Sequence, residues 1–186
     1  MARYQLGRAA VELVVGDIVA QDTDAIVNAA NEGLAEGGGV CGAIFRAAGR
    51  RELAVACAPQ APCPTGEARI TPGFRLAARH IIHAVGPVYS RSDPAGSARL
   101  LASAYASSLS LADRQGLASV AFPSISTGIF GYPVAAAAGV ALAAVRDALL
   151  AGGIVRLVRF VLWDQGGYDA YTRAAAGLGL AGGGGK

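Results

Sequence analysis

The sequence predicts an α/β sandwich around a largely parallel or mixed sheet. Three observations carry that prediction. Short apolar runs alternate with longer helix-patterned segments from end to end, the order from which strand–helix–strand units are built. No linker divides the 186 residues and no repeat is visible, so the length suits one domain with a substantial core. Hydrophobic residues make up 53% of the chain and charged residues 16%, which excludes a disordered tail.

The elements follow in order. Val11 to Val15 is strand-like and ends at Gly16-Asp17. Asp24 to Val27 reads as a short buried strand running into Asn28-Ala29-Ala30-Asn31. Val40 to Gly49 reads as a helix that Gly49 can stop, and Arg51 to Ala58 as a second helical piece. Pro62 to Gly66 is a turn, followed by strands over Glu67 to Thr71 and Arg79 to Val85. Ser97 to Gln115 is a helix, Val120 to Phe122 a buried strand, and Pro133 suits the first turn of a helix reaching about Leu150. Val155 to Leu162 is the last strand and Tyr168 to Ala176 the closing helix. Residues 1–178 are therefore expected to form one domain, with 179–186 a mobile Gly-rich tail.

Charge and cysteine content bound the function. The net charge is +3, spread thinly, with Arg50-Arg51 the one basic pair. That favours an anionic ligand without making a nucleic-acid surface. Cys41, Cys57 and Cys63 form no CxxC pair, and with His80 and His83 the only histidines no zinc site or other cofactor is expected. Free thiols fit a reducing compartment. The run Val134 to Val145 is shorter than the roughly 20 residues a bilayer needs. A cytoplasmic, monomeric protein with no membrane partner is the expectation.

The chemistry-bearing residues follow strands. Gly16-Asp17, Asn28 to Asn31, Gly86-Pro87 and Ser124 to Phe130 each follow one directly. They belong at the carboxyl ends of strands, where open α/β sheets bind ligands. Gly37-Gly38-Gly39 stands just before a helix, where bare backbone N–H groups and the helix field suit phosphate. It is neither a Walker A loop nor a GxGxxG fingerprint, and read alone it is also an ordinary surface turn. Ser126-Thr127-Gly128-Ile129-Phe130-Gly131 is a second such loop, or a capped turn. Two loops facing each other would hold a diphosphate, with Phe130 against a sugar. Asp17 is a turn residue or an acceptor for an exocyclic amine. Of Asn28 and Asn31, one serves a turn by bonding nearby backbone and the other is free to orient a ribose hydroxyl or a water. His83, inside a strand, is read as structural. Trp163 and Tyr168 are read as packing residues, with one of them a weaker candidate for lining a base pocket.

Taken together, Gly16-Asp17-Ile18, Asp24 to Asn31, Gly37 to Val40, Ile82 to Pro87 and Phe122 to Pro133 resemble a macrodomain of the MacroD type, in order and with family-like spacing from about Val11 to Tyr171. The resemblance implies a three-layer α/β/α fold that binds ADP-ribose. By that similarity Asp17 holds the adenine amine with Ile18 beside it. Gly38, Gly39 and Val40 meet the diphosphate from one side, and Ser126, Thr127, Gly128, Ile129 and Phe130 wrap it from the other. Asn31 hydrogen-bonds the distal ribose. Many relatives hydrolyse the ester joining ADP-ribose to a protein carboxylate, or deacetylate O-acetyl-ADP-ribose. The family's usual Asp after Gly-Gly-Gly-Val is here Cys41, and its frequent His four residues on is Phe45. The family's proposed carboxylate base therefore does not carry over, leaving substrate-assisted water attack oriented by Asn31, or a non-catalytic ADP-ribose reader. Cys41 itself is either a nucleophile at a helix start or a small residue packed under the loop.

Overall fold

The computed structural model describes residues 1–180 and 182. Seven strands form one sheet: β1 (Ala2–Leu6), β2 (Ala9–Val15), β3 (Ala25–Ala29), β4 (Ala68–Pro72), β5 (His80–Ala84), β6 (Ser119–Phe122) and β7 (Leu157–Leu162). The helices are α1 (Gly39–Ala48), α2 (Arg50–Cys57), α3 (Pro94–Arg114), α4 (Val134–Ala151) and α5 (Gln165–Gly177), with single 3₁₀ turns at Ile18–Ala20 and Ala58–Gln60. The strand order is β1-β2-β7-β6-β3-β5-β4. The four inner pairings are parallel, and the two edge strands, β1 and β4, run antiparallel to their neighbours.

Period-two alternation splits the strands' side chains between two cores. On β3, Ala25 and Val27 join Phe122, Phe160, Leu101 and Leu142 under α3, α4 and α5. Ile26 points the other way, joining Ile44, Phe45 and Leu53 under α1 and α2. The result is the three-layer sandwich. The α1/α2 layer is the smaller, and beyond its reach Glu12 of β2 takes ion pairs from Arg3 at 2.7 Å and Arg159 at 2.8 Å. Among the described residues α4 alone is long and apolar enough to cross a membrane. Here Ala137, Ala138, Ala141, Leu142 and Val145 are buried in the larger core, which accounts for that composition.

Several boundaries move for local reasons. Strand β1 was not expected; it pairs with β2 across Gly7, whose φ of +57° closes the hairpin. Helix α3 starts before Ser97 because Asp93 caps it, accepting from the Gly96 N–H at 2.8 Å. Asp164 does the same for α5 through the Gly167 N–H at 2.8 Å. Pro133 precedes α4 as its N-cap residue instead of entering its first turn. Strand β7 starts at Leu157 because the N–H groups of Ile154 and Val155 turn to Asp113, at 2.7 and 2.9 Å. Of the expected tail, Leu180 packs on the core and Gly182 bridges Tyr4. Residues 181 and 183–186 lie outside the described residues.

Candidate functional site

A cleft of about 790 Å³ crosses the carboxyl ends of the parallel strands. The strand order sets what lies along it. Gly16, Asp17 and Ile18 come from β2 and Trp163 and Asp164 from β7. Residues 123–130 follow β6, Ala30 and Asn31 follow β3, and Gly86 follows β5. Asp17 and Asn31 thus stand on strands three spacings apart, about 14 Å, with the β6 loop between them. The start of α1, from Gly37 to Cys41, closes the remaining side.

Two sets of backbone N–H groups meet in this cleft. Helix α1 has Gly38 as its N-cap and no side-chain cap, unlike α3 and α5. Its first N–H groups, on Gly39, Val40 and Cys41, have no acceptor among the described residues. Gly39 takes φ +55°, which only glycine adopts freely. Across the cleft, the N–H groups of residues 126–130 also have no acceptor among the described residues. Ser126 sits at φ +68°, is 6% exposed, and its hydroxyl has no partner. A strained backbone with an orphan hydroxyl marks a functional site. Both N–H sets suit phosphate oxygens.

The β6 loop is braced from behind. The Tyr105 hydroxyl accepts the Ile125 N–H at 3.1 Å and donates to the Pro123 carbonyl at 3.3 Å. The Tyr171 hydroxyl donates to Ser124 Oγ at 3.0 Å. Burial pushes both phenols up, so both stay neutral donors. Gly86 lets this loop close in, because a Cβ there would collide with Ser126 Oγ and Ile125.

The α1 side is braced by side chains. Asn31 donates Nδ2–H to the Ala35 carbonyl at 2.9 Å and accepts the Ala35 N–H at 3.1 Å. Cys41, 5% exposed, accepts from the Gly37 N–H at 3.4 Å and from Asn28 Nδ2 at 3.6 Å, and donates to the Ala35 carbonyl at 3.7 Å. Asn28 Nδ2 also meets His83 Nδ1 at 3.1 Å, while His83 Nε2 meets Thr71 Oγ1 at 3.0 Å and Cys57 Sγ at 3.6 Å. Donation from Asn28 makes Nδ1 the acceptor, so the ring proton sits on Nε2. Burial lowers the pKa of His83 to about 4 and pushes the Cys57 thiol up to about 11.

All twelve residues predicted for the site line this one cleft: Asp17, Ile18, Asn31, Gly38, Gly39, Val40, Cys41, Ser126, Thr127, Gly128, Ile129 and Phe130. The two asparagines divide otherwise than a turn-or-ligand choice suggests. Asn31 bonds local backbone, and Asn28 is buried in the His83 chain. Phe45 is 1% exposed inside the smaller core, so it contributes packing. Trp163 is not a packing residue, since it is 84% exposed at the cleft mouth, whereas Tyr168 does pack on the larger core. Sequence reasoning passed over Arg46 and Asp164 as lining residues. Arg46 lies seven residues after Gly39, on the same helix face, and that spacing was the available signal. Asp17 and Asp164 both spend an oxygen on a cap, to the N–H groups of Val19 at 3.1 Å and Gly167 at 2.8 Å.

Fold and site together define a class: an α/β/α sandwich with a phosphate-suited cleft across its parallel strands. The chain belongs to the Macro domain family, which matches residues 27–141. The Macro domain-containing protein TTE0995 of Caldanaerobacter subterraneus subsp. tengcongensis is 48% identical over 167 residues, 88% of this chain and 94% of that protein. The Oceanobacillus iheyensis macrodomain solved with ADP superposes with a TM-score of 0.88 at 41% identity, covering 95% of each chain. The Trypanosoma brucei macrodomain solved in complex with ADP-ribose gives 0.80 at 40% identity, over 89% of this chain and 68% of that one.

Proposed function

We propose that this chain is a MacroD-type macrodomain that binds ADP-ribose and hydrolyses the ester joining it to acidic side chains, with O-acetyl-ADP-ribose as a second substrate. The observation that carries the reading is the pair of unpaired N–H sets on α1 and the β6 loop, together with the buried, unpartnered Ser126 hydroxyl between strand ends. The diphosphate lies there. The adenine then points toward Asp17, Ile18 and Trp163, and the distal ribose toward Asn31 and Phe130. Solved relatives with ADP and ADP-ribose support this ligand. No internal packing requires glycine at 38 or 128, since a Cβ at either meets nothing within 4 Å, but a ligand lying against them does.

Hydrolysis on this reading runs without a protein carboxylate. A water held against the ligand's own phosphate gives its proton to a phosphate oxygen as it attacks the ester, releasing ADP-ribose and the free acid. Asn31 and the loop N–H groups orient that water and the ribose. Lacking a positioned base costs about 3–5 kcal/mol of barrier, tolerable for a labile ester. The three free cysteines suit action in the cytoplasm, and we read the chain as acting as a monomer.

The test is release of ADP-ribose from a protein mono-ADP-ribosylated on Glu or Asp. Release above a buffer blank is expected. A second reading, a reader that binds without cleaving, is favoured by the capping duties of Asp17 and Asp164 and by the thiol proton of Cys41 facing a carbonyl. Calorimetric binding of ADP-ribose with no release would establish the reader. No binding at all would sink both.

A further inference from the structure

We infer that Cys41 is a positioning residue: its thiol, together with Asn31, holds the glycine loop in place so that the first N–H groups of α1 and the Asn31 amide stay aimed at the ligand. The inference rests on the ADP-ribose reading of the cleft. The segment from Ala35 to Gly37 is tied down by little backbone pairing. Among the described residues, the N–H and C=O of Ala35 and the N–H of Gly37 bond only to the side chains of Asn31 and Cys41. The Ala35 carbonyl is shared between them, at 2.9 Å from Asn31 Nδ2 and 3.7 Å from Cys41 Sγ.

That sharing has a consequence for binding. Asn31 lines the cleft, yet both ends of its amide are engaged by Ala35. Each end keeps one free valence, a second Nδ2–H and a second Oδ1 lone pair, so Asn31 can hold the loop and a ribose hydroxyl or water at once. The thiol is the side-chain link that ties this loop to α1. Its own position is fixed from below, because Asn28 Nδ2 reaches both Cys41 Sγ and His83 Nδ1. The chain of contacts runs from β4 and β5 through β3 to the loop.

The same geometry argues against two simpler roles. A purely apolar side chain at 41 would fill the space but leave the Gly37 N–H and one Asn28 donor without an acceptor, a penalty that packing does not offset. A nucleophile or base needs its proton directed at a partner that takes it, and this thiol faces a carbonyl. The one nearby imidazole, His83, is separated from it by Asn28.

The test compares Cys41→Ala and Cys41→Ser with the wild-type chain, measuring ADP-ribose affinity by calorimetry and ester hydrolysis in parallel. Alanine is the best helix former, so α1 persists in that variant. Serine keeps a hydroxyl that both donates and accepts. The expected result is an affinity loss of about tenfold for Cys41→Ala, with Cys41→Ser within about threefold of wild type in both affinity and turnover. Wild-type affinity in Cys41→Ala would overturn the inference in favour of packing alone. Full binding but no hydrolysis in Cys41→Ser would overturn it in favour of thiol chemistry. A wild-type chain that binds no ADP-ribose would instead refute the reading on which the inference stands.

Discussion

Acid should unfold this protein through His83, and the size of the effect can be worked out. The imidazole is fully buried, and burial lowers its pKa from 6.5 to about 4. The unfolded chain takes up a proton that the folded chain refuses between those two values. Stability from this group is therefore complete above pH 6.5, declines as pH falls toward 4, and levels off below it. The gap corresponds to about 3 kcal/mol in full, and to about 2.5 kcal/mol at pH 4.5. That is a large part of the 5–15 kcal/mol typical of a domain. Urea unfolding at pH 7.5 and 4.5 measures the difference. His83→Asn, which keeps an acceptor toward Asn28 but does not titrate, should lose stability at pH 7.5 and show a slope flatter by about 2.5 kcal/mol. In proton NMR the His83 ring should remain unprotonated at pH 5 in the folded protein. Parallel pH profiles for the two proteins, or a His83 titration near 6.5, would refute the argument.

Other outcomes follow from single contacts. Gly128→Val places its Cβ where nothing lies within 4 Å; the melting temperature should hold while calorimetry shows ADP-ribose affinity falling by at least about tenfold (about 1.4 kcal/mol). Asn31→Ala should lower kcat for ester hydrolysis by about 10–100-fold, the order expected when an orienting group is lost. Asp24 would be raised by its burial, but Arg79, the Ala118 N–H and the Ser119 hydroxyl and N–H outweigh that and hold its carboxyl below the usual range. Asp24→Ala should accordingly cost about 1–3 kcal/mol at pH 7, and the gap to wild type should close as pH falls below the carboxylate range, read by chemical unfolding. Phe45→Ala, in the smaller core, should cost about 3–5 kcal/mol of stability by the same method.

Local chemistry made much of the fold legible. Apolar runs such as Ile26-Val27 and Val120-Ala121-Phe122 mark inner parallel strands because both faces of the sheet are covered. Strand β1 was hidden because Tyr4 is its one fully buried side chain and charged or amide groups alternate with it. The cleft residues were visible because they follow an apolar run directly or, from Gly37 to Cys41, open a helix, and the sheet brings such ends together. Their hydrogen bonds were not. The partners of Cys41 lie four to thirteen residues away, and they meet only once β3, the loop and α1 are assembled. Trp163 looked like a core residue by composition alone, and only the place where β7 ends puts it at the rim.

Tyr105 and Tyr171 give the two walls of the cleft different thermodynamic characters. The wall after β6 is ordered when α3 and α5 dock, since both hydroxyls reach it from fully buried positions. Fixing a residue's backbone costs about 1–2 kcal/mol, and for that wall the cost falls on folding instead of on association. Ligand affinity and the docking of the large helical layer are therefore thermodynamically linked. Loosening α5 weakens binding at a site the helix lines only through Gly167 in its first turn, and a saturating ligand stabilises the whole sandwich by about 2.7 kcal/mol at a hundredfold excess over Kd.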